Sequence, residues 1–271
     1  MAAGSLYIDE DRMMTMEFTH KAPTFAPGPL KKEILIALRD LTYTEQMLRY
    51  QEYSDGILYG CKLYEQNMHI GILSGIIKYA GRIYMLADRT SVSYEPTDSW
   101  TVLKVRFGAQ VQHREYTQFS GQLILDQNTQ TLPNEMEMGR LKLKKGSALR
   151  TEYKDFHDMN TEYDTVNLQY VKQAGLGGPT LSPEITRHFA REAYPYTQDN
   201  ALDAAFCGSA LNGKTMTREY IERYICTRTG QECREMENNE LLEGLENVLR
   251  TIRGTSEVRK RWEHSGIDLF D

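Results

Sequence analysis

The sequence predicts a mixed α+β protein, in which an antiparallel β-sandwich or small barrel precedes a C-terminal four-helix domain. Three observations predict this architecture. Short apolar runs alternate with turn signals such as Ala80-Gly81 throughout residues 55–107, which is typical of β-hairpins. Within these runs apolar and polar residues alternate, as on strands with one buried face. From Leu181 the apolar period changes from two to 3.6 residues, which indicates helices.

The composition sets limits on the class of protein. A chain of 271 residues is long enough for one large domain or two small ones. The formal net charge of -6 argues against a dedicated nucleic-acid coat, although it is compatible with a local basic patch. No apolar run approaches the ~20 residues of a spanning helix, so we expect no membrane association. The four cysteines form no CxxC pair, and we expect free thiols in the cytoplasm.

Residues 1–29 are predicted to form an extended N-terminal arm, because three prolines between residues 23 and 29 are incompatible with a helix. For residues 1–15 two alternatives stay open, a disordered leader or an arm that docks on a neighbouring subunit. Phe18 and Phe25 are the side chains that a docking arm would use as anchors.

Residues 30–165 are predicted to form a β-rich domain with a leading helix. Apolar side chains recur at helical spacing over residues 30–41, although the run ILIAL also suits a buried strand. A second helix is predicted to start at Thr44, whose hydroxyl is suited to cap it.

The strand VLKVRF shows the predicted alternation most clearly. Leu103, Val105 and Phe107 fall on one face and are expected in the core, whereas Lys104 and Arg106 fall on the other. Such a strand belongs to an antiparallel sheet with one face in water, so we expect both cations to be exposed.

A β-bulge is predicted near Gly139. Met136 and Met138 occupy even-numbered positions and Leu141 and Leu143 odd-numbered ones, so in a regular strand the two pairs would point to opposite faces. All four are apolar and lie in one predicted strand. One extra residue near the glycine would bring both pairs to the same face.

Residues 166–181 are predicted to be a linker, because they contain the glycine-rich run AGLGGP. Residues 182–254 then form the helical domain, and residues 255–271 form a polar tail with a small apolar end. Each of the four helices is predicted from a capping residue, and three of them from a terminating glycine. The caps are Ser182, Asp199, Thr217 and Asn238 or Asn239, and the glycines are Gly213, Gly230 and Gly254.

No motif supports a catalytic or metal site convincingly. His157 with Asp155 and Asp158 resembles a cation loop, but the EF-hand alternation is absent and a structural turn is favoured. GSALNGKT at residues 208–215 formally matches a P-loop, yet the preceding ALDAAFC is predicted to be helical, and a working P-loop follows a strand. We therefore expect no enzyme, no catalytic residue, no metal and no cofactor.

Nucleic-acid binding by the C-terminal helical domain is the alternative function. A group of basic residues near the C-terminus lies close together in sequence and has the chemistry to neutralise phosphates: Arg250, Arg253, Arg259, Lys260 and Arg261. Neighbouring glutamates dilute this charge, so a solvated helix face is favoured and nucleic acid is not the expected partner.

Three stretches resemble a known class of proteins. They are DGILYG from Asp55, SGIIKYAGRIYML from Ser74 before VLKVRF, and MEMGRLKLKKG from Met136. Together they resemble the small β-domains of phage tail, tail-fibre and baseplate proteins, and the chain resembles prophage-encoded proteins of Firmicutes. The resemblance covers about a third of the chain, and its motifs are turn glycines and strand alternation.

The resemblance implies a structural role in assembly. The partners would be other tail or baseplate proteins and further copies of this chain, which edge strands and the proline-rich arm would contact. Candidate subunit-interface residues are Phe18, Phe25, Tyr84 and Phe270. Such a protein would be cytoplasmic during assembly and part of a virion or tail-like particle afterwards.

Overall fold

The computed structural model describes residues 31–114 and 116–265, except for the side chains of Leu41 and of residues 255–265. It is a mixed α and β protein, with antiparallel sheets followed by a C-terminal helical region of four helices, as predicted. The chain divides into two compact units, residues 1–51 and residues 52–271.

In the described part of the first unit, residues 31–51, the chain forms one continuous helix, α1 (Lys32–Arg49). The helix predicted over residues 30–41 is confirmed, and the strand alternative for ILIAL is not. The prediction of a separate second helix capped by Thr44 is wrong, because Thr44 lies inside α1. The intervening Thr42 and Tyr43 are only moderate helix formers, but no glycine or proline interrupts residues 32–49, so the helix continues through both segments. Large apolar side chains of α1, among them Leu35 and Leu48, are exposed.

Eleven strands follow among the described residues, all paired antiparallel. They are β1 (Gly56–Gly60), β2 (Leu63–Gln66), β3 (His69–Ile72), β4 (Gly75–Tyr79), β5 (Arg82–Leu86), β6 (Thr90–Ser93), β7 (Trp100–Phe107), β8 (Val111–Gln112), β9 (Thr117–Gln118), β10 (Gly121–Asp126) and β11 (Glu135–Lys142). They form three-stranded sheets in the orders β1-β4-β5, β2-β3-β6 and β10-β7-β11, and the two-stranded sheet β8-β9.

The bulge predicted near Gly139 is present in β11. Glu137 pairs with Lys104 and Gly139 pairs with Leu103, so Met138 is the extra residue. Gly139 has a φ of +156°, a conformation that side-chain-bearing residues rarely adopt. As a result, the apolar residues on both sides of the bulge all reach the core: Met136, Met138, Leu141 and Leu143.

Lys104 contradicts the prediction of a wet outer face on β7, because it is fully buried. Residues 127–134, which connect β10 to β11, bring the Gln130 carbonyl over this face, where it accepts a hydrogen bond from Lys104 Nζ at 2.7 Å. Arg106, at the next position of the same face, is 45% exposed as expected.

Residues 166–181, predicted as a linker, are hydrogen-bonded to the sheets. The Ile57 amide donates to the Lys172 carbonyl, and the Ala174 amide donates to the Ile57 carbonyl, each at 2.9 Å. Asn167 and Arg140 exchange two further backbone hydrogen bonds. This segment therefore lies along β1 and β11, and the domain boundaries stay predictions.

The helical region consists of α2 (Pro183–Ala193), α3 (Ala201–Leu211), α4 (Arg218–Thr229) and α5 (Asn238–Ser265). Ser182 and Thr217 cap their helices as predicted, and Gly230 ends α4 in the left-handed conformation. Asn200, not Asp199, caps α3. The predicted stop at Gly254 is wrong, because α5 continues through it to Ser265.

The described residues of the second unit form two hydrophobic cores. One is shared by the three larger sheets and includes Ile70 and Leu103, whereas the other lies within the helical region. In the helical core the rings of Phe206 and Tyr224 stack with centroids 3.7 Å apart and planes at 9°. Leu168 packs against both cores and thereby joins the sheets to the helices.

Candidate assembly interface

The β4–β5 hairpin presents a strand edge. Ala80 and Gly81 have positive φ values of 48° and 71°, which is the geometry of a type I′ turn. The closing pair of such a two-residue turn, here Tyr79 with Arg82, is hydrogen-bonded across the two strands. Hydrogen-bonded and non-hydrogen-bonded pairs then alternate, so Tyr84 and Leu86 also bond to β4.

The edge of β5 is formed by Ile83 and Met85. Since their antiparallel partners in β4 are non-hydrogen-bonded positions, their N–H and C=O groups point away from the hairpin. Within residues 31–114 and 116–265, no strand pairs with this side of β5. An unpaired apolar edge is a template for the addition of another strand.

The opposite edge of the same sheet is different. There, the segment that carries Lys172 and Ala174 runs beside β1, and Ile57 forms a parallel bridge with Gln173. Among the residues that the structure describes, the sheet therefore has one covered edge and one open edge.

The outer face of this sheet carries an apolar row. Tyr59, Ile76 and Met85 are cross-strand neighbours on β1, β4 and β5. Tyr59 is 75% exposed and Met85 is 66% exposed, which makes them the two most exposed large apolar residues among those described. Contiguous apolar surface of this kind is characteristic of sites that bind other proteins.

The inner face of the hairpin fixes it on the β7 sheet. Tyr79 stacks on Phe107 with ring centroids 3.8 Å apart, and Tyr84 packs on the same ring at 4.8 Å. The Arg82 guanidinium lies 4.1 Å from the centre of the Phe119 ring. Burial raises the pKa of Tyr84, with opposing influence from nearby Arg82. These contacts hold the edge in place, which limits the entropy lost when another strand binds.

The turn itself is held by hydrogen bonds. The Ala80 amide donates to Asp55 Oδ2 at 2.9 Å, and the Tyr79 hydroxyl donates to the Pro133 carbonyl. Asp55-Gly56 and Ala80-Gly81, both read as turns in the sequence, are thereby brought to the same end of the sheet.

A buried charge cluster supports the neighbouring sheet. Lys104 Nζ lies 3.1 Å from both Asp126 Oδ2 and Glu135 Oε2, and Arg106 donates to Glu135 Oε1 at 2.7 and 2.9 Å. Burial pushes the pKa of Glu135 upward, but hydrogen bonds from the Leu132 amide, Arg106 and Lys104 bring it below its usual value. The two cations and two carboxylates of the cluster compensate one another, so the cluster is structural.

The predicted turn at Asp155–Asp158 is also structural. Asp158 accepts hydrogen bonds from Arg150 at 2.8 and 2.9 Å, and these bonds lower its pKa. His157 Nδ1 lies 3.0 Å from Glu246 Oε1. Among the described residues, no group of three or more His, Cys, Asp or Glu side chains has the arrangement of a metal site.

The GKT sequence does not have the geometry of a P-loop. Gly208 lies within α3, and Gly213 follows the end of that helix with a φ of +70°. The backbone amides of residues 208–211 are therefore part of a helix and are not arranged around a phosphate.

A cleft of about 280 Å³ separates β1 from α2. Two charged groups of its lining pair with each other, since Glu184 accepts a hydrogen bond from Arg187 at 3.2 Å. Glu184 also lies 3.3 Å from His188 Nε2, and this contact is the main reason why the pKa of Glu184 is lowered. Lys62, the third charged group of the lining, lies 3.3 Å from Glu152. These charged groups therefore have partners, and none of them is arranged as an activated nucleophile or base.

The basic residues of the nucleic-acid alternative have acidic neighbours. Arg250 lies 3.5 Å from Glu246, and Arg253 forms an ion pair with Glu192. The side chains of Arg259, Lys260 and Arg261 lie outside the described residues, although their backbone belongs to α5.

Of the predicted interface residues, Tyr84 lies on the open-edged strand, with its ring toward Phe107. Phe18, Phe25 and Phe270 lie outside the described residues. The sequence analysis did not single out the residues that form the edge and the outer row: Tyr59, Ile76, Ile83 and Met85. The sequence signal for this surface was the unbroken apolar run after the arginine of RIYML, because consecutive apolar residues place apolar side chains on both faces of β5.

Comparison with known proteins gives weak similarities. No protein-family model and no curated protein matches this chain. The chain is similar to the crystal structure of TssK, with 9% identity and a TM-score of 0.35 over 85% of this chain and 69% of that one. It is also similar to a chain in the cryo-electron microscopy structure of the type VI secretion system TssK-TssF-TssG baseplate subcomplex. There the identity is 10% and the TM-score 0.36, over 86% of this chain and 100% of that one.

Among the described residues, no helix is both long enough and apolar enough to cross a bilayer.

Proposed function

We propose that this protein is a structural assembly component of a phage-derived tail or baseplate, and that it acts through subunit interfaces without turning over a substrate. The open edge of β5 carries the proposal. Backbone groups at Ile83 and Met85 point outward, and Met85 is two-thirds exposed beside an apolar row. Proteins usually protect such edges with charges, prolines or covering segments, so an apolar open edge indicates a bound strand in the working assembly.

The resemblance of the β region to tail and baseplate β-domains supports the particular kind of assembly. Its location would be the cytoplasm while the particle is built and the particle itself afterwards. The exposed apolar side chains of α1 provide a second contact surface of the same protein.

Co-expression with the proteins encoded beside it tests this proposal. The tagged chain should purify as a defined complex, whose mass is measured by light scattering. Met85→Lys places a charge on the open edge, and we expect this variant to lose the complex while it unfolds at nearly the wild-type temperature. Val111→Lys, at a residue that is 49% exposed in the separate β8-β9 sheet, is the matched control.

Two results would contradict the proposal. One is a chain that stays monomeric with every neighbouring gene product. The other is a complex that Met85→Lys leaves intact, because the edge would then have no part in assembly.

A further inference from the structure

We propose that the strand which covers the β5 edge is β5 of a second copy of this chain, paired antiparallel about a two-fold axis at Tyr84. This inference rests on the proposed function and names the partner at its interface. The product is a continuous six-stranded sheet in the order β1-β4-β5, followed by β5-β4-β1 of the second copy.

The hydrogen-bond register of β5 is self-complementary. A two-fold axis at Tyr84 places Ile83 opposite Met85 of the second copy, and Met85 opposite the second copy's Ile83. These are the two residues of β5 whose backbone groups point outward. Antiparallel hydrogen-bonded pairs recur every second residue, so both pairs satisfy the ladder and the Tyr84 pair between them is non-hydrogen-bonded.

The side chains agree with this register. Ile83 and Met85 share the outer face, so each Met85 would contact the second copy's Ile83, and the row of Tyr59, Ile76 and Met85 would be extended by that residue across the axis. On the inner face the two Tyr84 side chains would be direct cross-strand neighbours, and aromatic pairs at such positions stabilise sheets.

The charges agree as well. Arg82 is the one charged residue in β5, and the two-fold register places it opposite Leu86 of the second copy. Its guanidinium already lies on the Phe119 ring. Self-pairing therefore brings no like charges face to face, which is the usual obstacle when identical strands meet.

Disulfide trapping tests the register directly. Non-hydrogen-bonded antiparallel partners have Cα atoms about 4.5 Å apart, within the range that a disulfide spans. Tyr84→Cys in a Cys233→Ser background should therefore form a covalent dimer under mild oxidation. Cys233 is replaced because it is exposed, whereas Cys61, Cys207 and Cys226 are buried.

Leu86→Cys in the same background is the matched control. In the proposed register the two Leu86 residues are offset by four positions, or about 13 Å along the strand, which no disulfide bridges. Crosslinking at Leu86 but not at Tyr84, or at neither residue in folded protein, would overturn the proposal.

A second measurement keeps the native Tyr84 side chain, since Tyr84→Cys removes packing on Phe107. The purified chain should have the mass of a dimer at micromolar concentration, and Met85→Lys should weaken the dimer by about tenfold or more, because two lysines would lie near the axis. A wild-type monomer under these conditions overturns self-pairing. In that case the effect of Met85→Lys on binding to a neighbouring gene product decides about the assembly function. If the variant abolishes that binding, the proposed assembly function is supported and only self-pairing is wrong. If that binding is unchanged, self-pairing and the proposed assembly function are both wrong.

Discussion

Replacing Lys104 by methionine tests how strongly the buried charge cluster stabilises the fold. The side chain is fully buried, and the change removes three contacts of Nζ, with Asp126, Glu135 and the Gln130 carbonyl. Breaking a buried ion pair by removing one partner costs about 3–5 kcal/mol, because the remaining charge is left uncompensated.

The loss at this site should lie at the lower end, about 3 kcal/mol in the free energy of unfolding. Glu135 keeps its hydrogen bonds from Arg106 and from the Leu132 amide, and Asp126 is 28% exposed and retains contact with water. Urea unfolding monitored by circular dichroism measures the difference, with the slope of the transition checked for equality. The matched control is Lys62→Met, which removes a 3.3 Å ion pair between two exposed side chains and should cost less than about 1 kcal/mol.

The same variant should change the response to acid. Hydrogen bonds from the Asn128 amide and Lys104 lower the pKa of Asp126, and the pKa of Glu135 is lowered as well. A carboxylate whose folded pKa is depressed stabilises the protein above its unfolded pKa of about 4, and this stabilisation is lost as the pH falls. Lys104→Met should therefore lose less stability than the wild type between pH 5 and pH 3, by about 1 kcal/mol. The reasoning is refuted if the free energy of unfolding of Lys104→Met lies within about 1 kcal/mol of the wild-type value at pH 7 and falls between pH 5 and pH 3 as steeply as that of the wild type.

Three further expectations concern separate parts of the fold. Gly139→Ala should destabilise the protein by about 1–3 kcal/mol, because an added Cβ would lie 2.9 Å from Leu63 Cδ1 at a φ of +156°; an unchanged melting temperature would contradict the bulge. Asn200→Ala should cost about 1 kcal/mol in chemical unfolding, since its side chain accepts from two amides of α3, and a loss below a few tenths would show that the cap is dispensable. Native protein should react with about one equivalent of a thiol reagent, at Cys233, and with four after denaturation; rapid reaction of more than one would mean that the cores open.

Local patterns in the sequence predicted the elements whose determinants are local. The parity change around Gly139 predicted the bulge, and Ser182-Pro183-Glu184 predicted the start of α2, where the Ser182 hydroxyl accepts from the Glu184 amide at 3.3 Å. In both cases the residues that create the signal are neighbours in the chain.

Features that depend on distant segments escaped the sequence analysis. Lys104 alternates with apolar residues as an exposed cation would, and only the connection from β10 to β11 takes it out of water. Gly254 is a plausible helix stop by itself, yet Leu249 and Ile252 pack in the helical core on the preceding turn, and α5 continues to Ser265. Tertiary packing overrides weak local preference in this way.

The candidate interface was predictable only in part. The apolar run RIYML after the turn signal Ala80-Gly81 indicated a strand, and Tyr84 within it was a predicted interface residue. Which strand ends the sheet follows from the pairing order β1-β4-β5, and that order joins β1 to β4 across the intervening strands β2 and β3. Residues such as Met85, whose importance comes from lying at an edge, therefore become visible only with the fold.

The strip of chain beside β1 limits how far association can proceed. Because Lys172 and Ala174 are hydrogen-bonded to Ile57, the backbone groups of Ile57 at the β1 edge are not available to a strand from another molecule. A sheet with one unpaired edge can add a strand at that edge only. After one addition at β5 no unpaired edge of this sheet remains in the part of the chain that the structure describes, so the sheet does not extend into a cross-β fibre.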